Sequence, residues 1–215
     1  MSGAGYANDV KGFIKIDSLA VGFGVSSVEF LAYLTSFNQA FSSNWNAETV
    51  YGRADPIGNF QGTTRVISLA WDIPGETLEH AKSNLENIST LVKMLYPFYK
   101  STAHTVEIEE ENDEGTLEIR SVTVGANALA ISKPPLVRLS FGNLIKNAGA
   151  GEPGLLGWIG NLTWTPALDM GMFSDGKGNF YPKVVSLSLD FTVQHEHFVG
   201  HNNGNGTPAG FPFGG

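Results

Sequence analysis

Alternating hydrophobic and polar positions dominate the chain and predict a mainly β fold built from antiparallel strands. The two clearest strands run from 64 to 73 and from 183 to 194. The residues on their predicted buried faces are Ile67, Leu69, Trp71 and Ile73 in the first, and Val185, Leu187, Leu189, Phe191 and Val193 in the second. One apolar face and one more polar face are typical of antiparallel sheets, because parallel strands covered on both sides read as continuous apolar runs.

One segment has a helical period and predicts a long flanking α-helix over about 77–96. Thr77 is a suitable N-cap, and Tyr96-Pro97 should end the helix because the residue before a proline avoids helical angles. The apolar residues at steps of three and four are Leu78, Ala81, Leu85, Ile88, Leu91, Val92 and Leu95. We expect this apolar stripe to pack across the sheet.

Shorter patterns predict the remaining strands before the helix. Phe13–Ile16 and Leu19–Val21 are short apolar pieces, and Phe41–Tyr51 predicts a further strand before a loop over 52–58. Val28–Phe37 is apolar on both faces, and we expect one strand covered by the helix and by a second sheet or a neighbouring subunit.

After the helix, Leu136–Phe141 predicts a strand. The glycine-rich stretch 151–160 is expected to lead into a strand at Leu162–Trp164, and Ser174–Asn179 has the composition of a turn.

The predicted organisation is a single domain over 12–199, preceded by a flexible arm over 1–11 and followed by a glycine-rich tail over 200–215. Strands Thr105–Ile108 and Leu117–Val124 flank a turn at 112–115, which predicts a hairpin within 101–126. The tail lacks periodicity, and its Phe211 and Phe213 are candidates for docking on a partner.

Charge is concentrated in one place and argues against binding to nucleic acid. The net charge of the 215 residues is −8, and the run Glu107, Glu109, Glu110, Glu111, Asp113 and Glu114 supplies six acids, so the remainder carries −2. There is no cysteine, which excludes disulfides and thiolate chemistry. No apolar run approaches the length of about 20 residues that spans a bilayer, and no secretory signal opens the sequence.

The candidate binding residues are few. His195 and His197, if they share a strand face, resemble part of a His-x-His metal site with His201 nearby, or are polar residues where the strand leaves the core. The acidic run lacks the order of a calcium loop and is a solvated hairpin tip or a surface that repels DNA. Arg53 and Asp55 either pair within their loop or contact another subunit.

No catalytic pattern stands out. The sequence lacks a nucleophile elbow and the glycine motifs of phosphate-binding loops. The tryptophans at 45, 71, 158 and 164 could line a sugar site, but are more often core or interface residues. We therefore assign no catalytic, cofactor-binding or metal-binding residue, and we expect a protein that is not an enzyme.

Several strings of the sequence together resemble virion proteins of contractile-tailed bacteriophages. In the first half they are WNAETVY at 45–51, GRADPI at 52–57, GTTR at 62–65 and MLYP at 94–97. In the second half they are SKPPLV at 132–137, FGNLI at 141–145, GLLG at 154–157 and YPKV at 181–184. The combination is similar to baseplate proteins of the tube-initiator or hub type, which share the tail-tube fold.

The resemblance implies a β-barrel or sandwich that assembles as a hexameric ring. Sheets of neighbouring subunits would join around a lumen through which genomic DNA passes without sequence-specific binding. The implied partners are further copies of the chain and the adjacent tail-tube and baseplate hub proteins, and the implied location is the virion, after assembly in the host cytoplasm. The segment 101–126 is an insertion relative to the family pattern.

Two other functions stay open at this stage. Within the same class, the chain could be the repeating tail-tube protein. In a different class, the tryptophans and the end at His195 and His197 could belong to a carbohydrate- or peptidoglycan-binding module. An enzyme comes third.

Overall fold

The computed structural model describes residues 12–19, 27–100, 104–111, 117–124, 130–147, 154–197, 199–200 and 211–212. The chain forms two compact units, one made of 1–95 with 136–215 and the other of 96–135. The predicted insertion 101–126 lies within the second unit. The predicted arm 1–11, the hairpin turn 112–116, His201 and Phe213 lie outside the described residues.

Over the residues that the structure describes, the fold is mainly antiparallel β with one α-helix, which confirms the predicted class. The helix α1 is Leu78–Lys93. The strands are β1 Phe13–Ser18, β2 Ser27–Leu31, β3 Tyr33–Glu48, β4 Ile57–Pro74, β5 Phe98–Lys100, β6 His104–Glu111, β7 Leu117–Val124, β8 Ala130–Lys133, β9 Val137–Phe141, β10 Leu155–Pro166, β11 Met172–Ser174, β12 Phe180–Pro182 and β13 Val184–Val193.

The first unit contains a seven-stranded sheet that must fold over on itself. Its order is β2-β1-β9-β10-β13-β4-β3, yet only Ala32 separates β2 from β3 in sequence. A flat sheet would put these strands about 29 Å apart, from six spacings of about 4.8 Å, whereas two Cα–Cα steps reach only about 7.6 Å. The two ends of the sheet therefore meet at Ala32, with one half lying over the other.

The hydrophobic core lies between the two halves. The ring of Phe30 on β2 lies 6.1 Å from that of Trp71 on β4, centroid to centroid, so the halves are in direct contact. The predicted buried faces of β4 and β13 are confirmed, because all nine of their apolar residues named above are buried. Ile14, Ile16, Val137 and Leu139 complete the core from the other half.

Helix α1 begins where the sequence predicts and ends at Lys93, with Met94 as C-cap. The Thr77 side chain accepts a hydrogen bond from the His80 backbone N–H at 3.2 Å. Ala81, Ile88 and Leu91 are its buried residues, and the helix contacts β2 and the β11–β12 hairpin. The predicted stripe is therefore partly buried: Ile88 and Leu91 join the core, and Leu85 and Val92 pack against it.

Replacing Thr77 by Ala should lower the free energy of unfolding by about 1 kcal/mol, because the substitution removes the hydroxyl that satisfies an N–H of the first turn. Urea unfolding followed by circular dichroism measures this change. Ser83→Ala, at an exposed position inside the helix, is the matched control and should change stability by no more than about 0.5 kcal/mol.

The prediction of one strand over Val28–Phe37 is wrong. The chain forms β2 and β3 on either side of Ala32, and the two strands pair at opposite ends of the sheet order. The predicted strand Phe41–Tyr51 is the continuation of β3, and β4 already begins at Ile57, inside the predicted loop. The glycine-rich stretch is also partly strand, since β10 begins at Leu155.

The predicted turn at 174–179 and the predicted pairing of the two hairpin strands are confirmed, whereas most of the predicted tail 200–215 and residues 20–21 lie outside the described residues. The turn at 174–179 connects β11 to β12, and Asp175 Oδ1 accepts hydrogen bonds from the backbone N–H groups of Lys177 and Asn179 at 2.7 and 3.2 Å. In the second unit, β6 and β7 form the predicted antiparallel ladder, and β5 pairs with β8.

Candidate functional site: a polar sheet face between two open edges

One half of the large sheet, β10-β13-β4-β3, has an open edge on each side. Among the strands that the structure describes, β10 pairs with β9 only through Leu155–Gly157, and from Trp158 to Pro166 its paired residues have partners on β13 alone. On the other side β3 pairs only with β4 within the described residues. Exposed strand edges present N–H and C=O groups that can pair with another strand.

Backbone hydrogen bonds fix which groups face these edges. The Ala167 N–H donates to Val184 O at 3.0 Å, and the Gly75 N–H donates to Lys183 O at 2.6 Å. Because successive residues direct their backbone groups to opposite neighbours, the strand registers assign every other residue to an open edge. These residues are Leu162 and Trp164 on β10, and Phe37, Gln39, Phe41 and Ser43 on β3.

The face of this half that points away from the core carries small polar side chains. Its residues by register are Asn161, Thr163, Thr165, Ser186, Ser188, Asp190, Thr192, Val66, Ser68, Ala70, Asp72, Ser36, Asn38, Ala40 and Ser42, together with two aromatic residues, Trp158 and Tyr33. None of them is buried, and the set has two carboxylates and no lysine or arginine. Each carboxylate accepts a hydrogen bond from a serine on the adjacent strand at 2.6 Å, Asp190 from Ser68 and Asp72 from Ser186.

This polar face contains a shallow depression. A depression of about 150 Å³ is lined by residues from all four strands, among them Ser36 on β3, Ser68 on β4, Ser188 on β13 and Asn161 on β10. The depression therefore extends across the width of the polar face.

A two-stranded extension of β3 and β4, called the arm from here on, projects from one end of this half and is distinct from the predicted N-terminal arm 1–11. Arg65 is the last β4 residue that pairs with β13, and beyond it β3 and β4 pair only with each other over 41–48 and 57–64. The arm is exposed on both faces, and its Trp45 and Phe60 rings contact each other with centroids 5.2 Å apart. The opposite end of the same half also exposes large apolar residues, which are Leu168, Met170, Met172 and Phe180.

At the base of the arm lies a buried arginine. Arg65 is 1 % exposed, and its Nε and Nη2 donate to Gln39 Oε1 at 3.2 and 2.8 Å. Nη2 also donates to the Pro212 carbonyl at 3.1 Å, and the guanidinium lies over the rings of Phe41 and Phe211. Burial lowers the pKa of Arg65 from its ordinary value. Phe211 thus contacts its own chain, whereas the sequence suggested a partner.

The two histidines lie beside this arginine, but the predicted shared strand face does not form. β13 ends at Val193, and the rings of His195 and His197 meet edge to face with centroids 6.4 Å apart. Burial, followed by the charges of Arg65 and His197, lowers the pKa of His195. Across the described residues, no three His, Asp or Glu side chains are grouped as metal ligands.

The neighbouring acid Glu196 is already paired. Its two carboxylate oxygens each accept a hydrogen bond from the Arg138 guanidinium at 2.7 Å. This side-chain bond is the main reason why the pKa of Glu196 is lowered.

The other candidate residues do not come together. Trp71 is in the core, Trp45 is on the arm, and Trp158 and Trp164 lie on opposite faces of β10, paired in register with Thr192 and Leu187. Arg53 and Asp55 are both exposed, and no ion pair joins them in the described structure. The tryptophans therefore form no common sugar-binding surface.

No family model and no curated protein matches the chain. Among the described residues, no helix is long and apolar enough to cross a membrane. The open edges and the polar face between them were not identified from the sequence. The alternation gave the polar residues, but which strands lie at an edge depends on pairing between distant segments.

Proposed function

We propose that the protein is a structural ring protein of a phage tail, located at the junction of tube and baseplate, and that it performs no chemistry. The observation that carries this proposal is the pair of open edges on β10 and β3, on opposite sides of one four-stranded half-sheet. Such a half-sheet can be extended at both ends by identical copies. Head-to-tail contacts of this kind close into a ring when the rotation between copies allows it.

The geometry of the two edges is compatible with this pairing. Four antiparallel strands place β10 and β3 in opposite directions, so a head-to-tail neighbour would bring its β10 antiparallel to β3. The edge-facing residues Leu162 and Trp164 have their side chains on the core side of the sheet, as do Phe37, Gln39 and Phe41. Directly opposed residues of paired strands share a face, so the pleat would continue across the junction without a break.

The polar face is suited to line the lumen of the ring. Barrels of about 16 strands already leave a water-filled channel, so a ring of roughly six copies with four strands each would be hollow. Asp72 and Asp190 make this face acidic, and like charges prevent DNA phosphates from binding to it. Most of its side chains are short, and Trp158 is the large exposed one among them.

The two ends of the half-sheet suit contacts with the rings or proteins above and below. The arm presents Trp45 and Phe60 at one end, and Leu168, Met170, Met172 and Phe180 are exposed at the other. Clusters of exposed apolar side chains mark interaction sites. A repeating tail-tube protein would use both ends for copies of itself, whereas a tube initiator would use one of them for a baseplate hub protein.

Electron microscopy and analytical ultracentrifugation of the purified full chain test the proposal. We expect rings with a central hole and a discrete mass that is a small multiple of the monomer, in the presence or absence of DNA. Long tubes of stacked rings would favour the repeating tube protein. A chain that stays monomeric up to millimolar concentration would contradict the proposal.

A further inference from the structure

We propose that Phe211 and Pro212 form a strap of two residues, which is docked while His195 is neutral and is released when His195 takes up a proton. The inference is independent of ring formation, because it concerns contacts within one chain.

The strap is held by a small set of contacts at the base of the arm. Arg65 donates to the Pro212 carbonyl and lies 5.6 Å from the Phe211 ring centroid. The Phe211 ring also meets Phe41 edge-on at 6.4 Å and His195 at 6.0 Å, between centroids. Arg65 is itself held by Gln39, whose side-chain N–H donates to Leu144 O at 3.3 Å. The strap thus joins β3, β4 and the end of β13.

Next to the strap is a largely apolar cavity that would accommodate its movement. Its volume is about 380 Å³, and both Phe211 and His195 line it, together with Phe41, Phe60, Thr63 and Val199. His195 therefore lies between this cavity and the sheet, in contact with Phe211 of the strap.

The surroundings of His195 disfavour a second positive charge. Among the described residues, the charged or titratable groups that act on His195 are Arg65 from β4 and His197 from its own segment. Glu196 has both oxygens bonded to Arg138 of β9, while Phe41 of β3 and Phe211 of the strap, which line the same cavity as His195, carry no charge. His195 Nε2 is buried without a hydrogen-bond partner in the described part of the chain. An imidazolium needs acceptors for both N–H groups, so the neutral ring suits this position better.

The direction of the pH effect follows from linkage. In the docked structure, burial, followed by the charges of Arg65 and His197, lowers the pKa of His195. Phe211 contacts the His195 ring, so its release exposes more of the ring to water and shifts this pKa toward the ordinary value of about 6.5. Docking is therefore fully favoured above about pH 6.5 and weakens as the pH falls through the pKa of the docked state. At a pH below both pKa values of His195, docked and released, the docking equilibrium constant is reduced about tenfold for each unit by which these two pKa values differ.

The absence of natural cysteines allows a direct test by site-specific spin labelling. Labels at Glu86→Cys on α1 and at Gly214→Cys, two residues after Pro212 in the sequence, report one intramolecular distance by double electron–electron resonance. The labelled chain is diluted with unlabelled protein so that neighbouring copies do not contribute. We expect a narrow distance distribution at pH 7.5 and a broad one at pH 5.0.

Two matched variants separate His195 from its neighbour. His195→Gln cannot take up a proton and should keep the narrow distribution at both pH values, whereas His197→Gln should still broaden at pH 5.0. The proposal is overturned if the wild-type distribution is broad at pH 7.5 or stays narrow at pH 5.0. It is equally overturned if His195→Gln broadens like the wild type, or if His197→Gln abolishes the response.

Discussion

Trp164→Pro should abolish ring assembly while leaving a folded monomer. The Trp164 N–H faces the open edge of β10, so proline removes a donor from that edge without removing a hydrogen bond to β13. A strand at an edge tolerates proline for this reason. In a ring, the partner carbonyl on β3 would lose its donor, which costs about 1–3 kcal/mol at each interface. Because the loss recurs at every interface, we expect monomers at concentrations where the wild type forms rings.

Sedimentation velocity and negative-stain microscopy measure this loss, and circular dichroism checks that the monomer is folded. Trp164→Thr is the matched control, because it removes the same half-exposed ring but keeps the N–H and suits a strand. This variant should still assemble. Rings of Trp164→Pro that match the wild type in number and mass would show that β10 is not an interface, even if rings form by another surface.

Gly157→Ala should destabilise the fold severely, by more than about 3 kcal/mol. A Cβ at this position would lie 2.0 Å from the Thr192 carbonyl oxygen and 2.7 Å from Phe191 Cζ. Gly157 sits where β10 leaves β9 and continues along β13 alone. The side chain can be accommodated only if the β10–β13 ladder moves apart, and forced overpacking of a buried site is among the few causes of losses this large.

Gly160→Ala in the same strand is the control. The nearest atom to a Cβ there is Asp190 O at 3.9 Å, which is an ordinary contact. Residue 160 also lies at the register shift between Ile159 and Asn161, where it has no partner on β13. We expect a change within about 1 kcal/mol. Equal urea midpoints for the two variants would contradict the close approach of β10 to β13.

Part of the candidate site could be predicted from the sequence. Alternation from 183 to 194 placed Ser186, Ser188 and Asp190 on the face away from the core, because a strand with one buried face must expose the other. Arg65 could not be predicted in this way. It is in phase with Ile67 and Leu69 and is buried with them, and only Gln39 and the Pro212 carbonyl, both distant in sequence, make that position tolerable for a guanidinium.

The break at Ala32 explains why the sequence predicted a single strand over Val28–Phe37. Val28, Phe30 and Ala32 are all buried, and Leu34 packs against the same core. The apolar period passes through the break unchanged, because β2 and β3 cover one core from its two sides. Periodicity records which face is buried, and it does not record which sheet edge a strand joins.

The sequence by itself determined the class of fold, the faces of β4 and β13, and the helix with its Thr77 cap, since each depends on residues close together in the chain. The tertiary structure alone decided that β3 and β10 are open edges among the described strands, that all four strands line one depression on the polar face between them, and that Phe211 returns to Arg65. Those features arise from pairing and contact between segments far apart in sequence, and their energies depend on partners that no local pattern specifies.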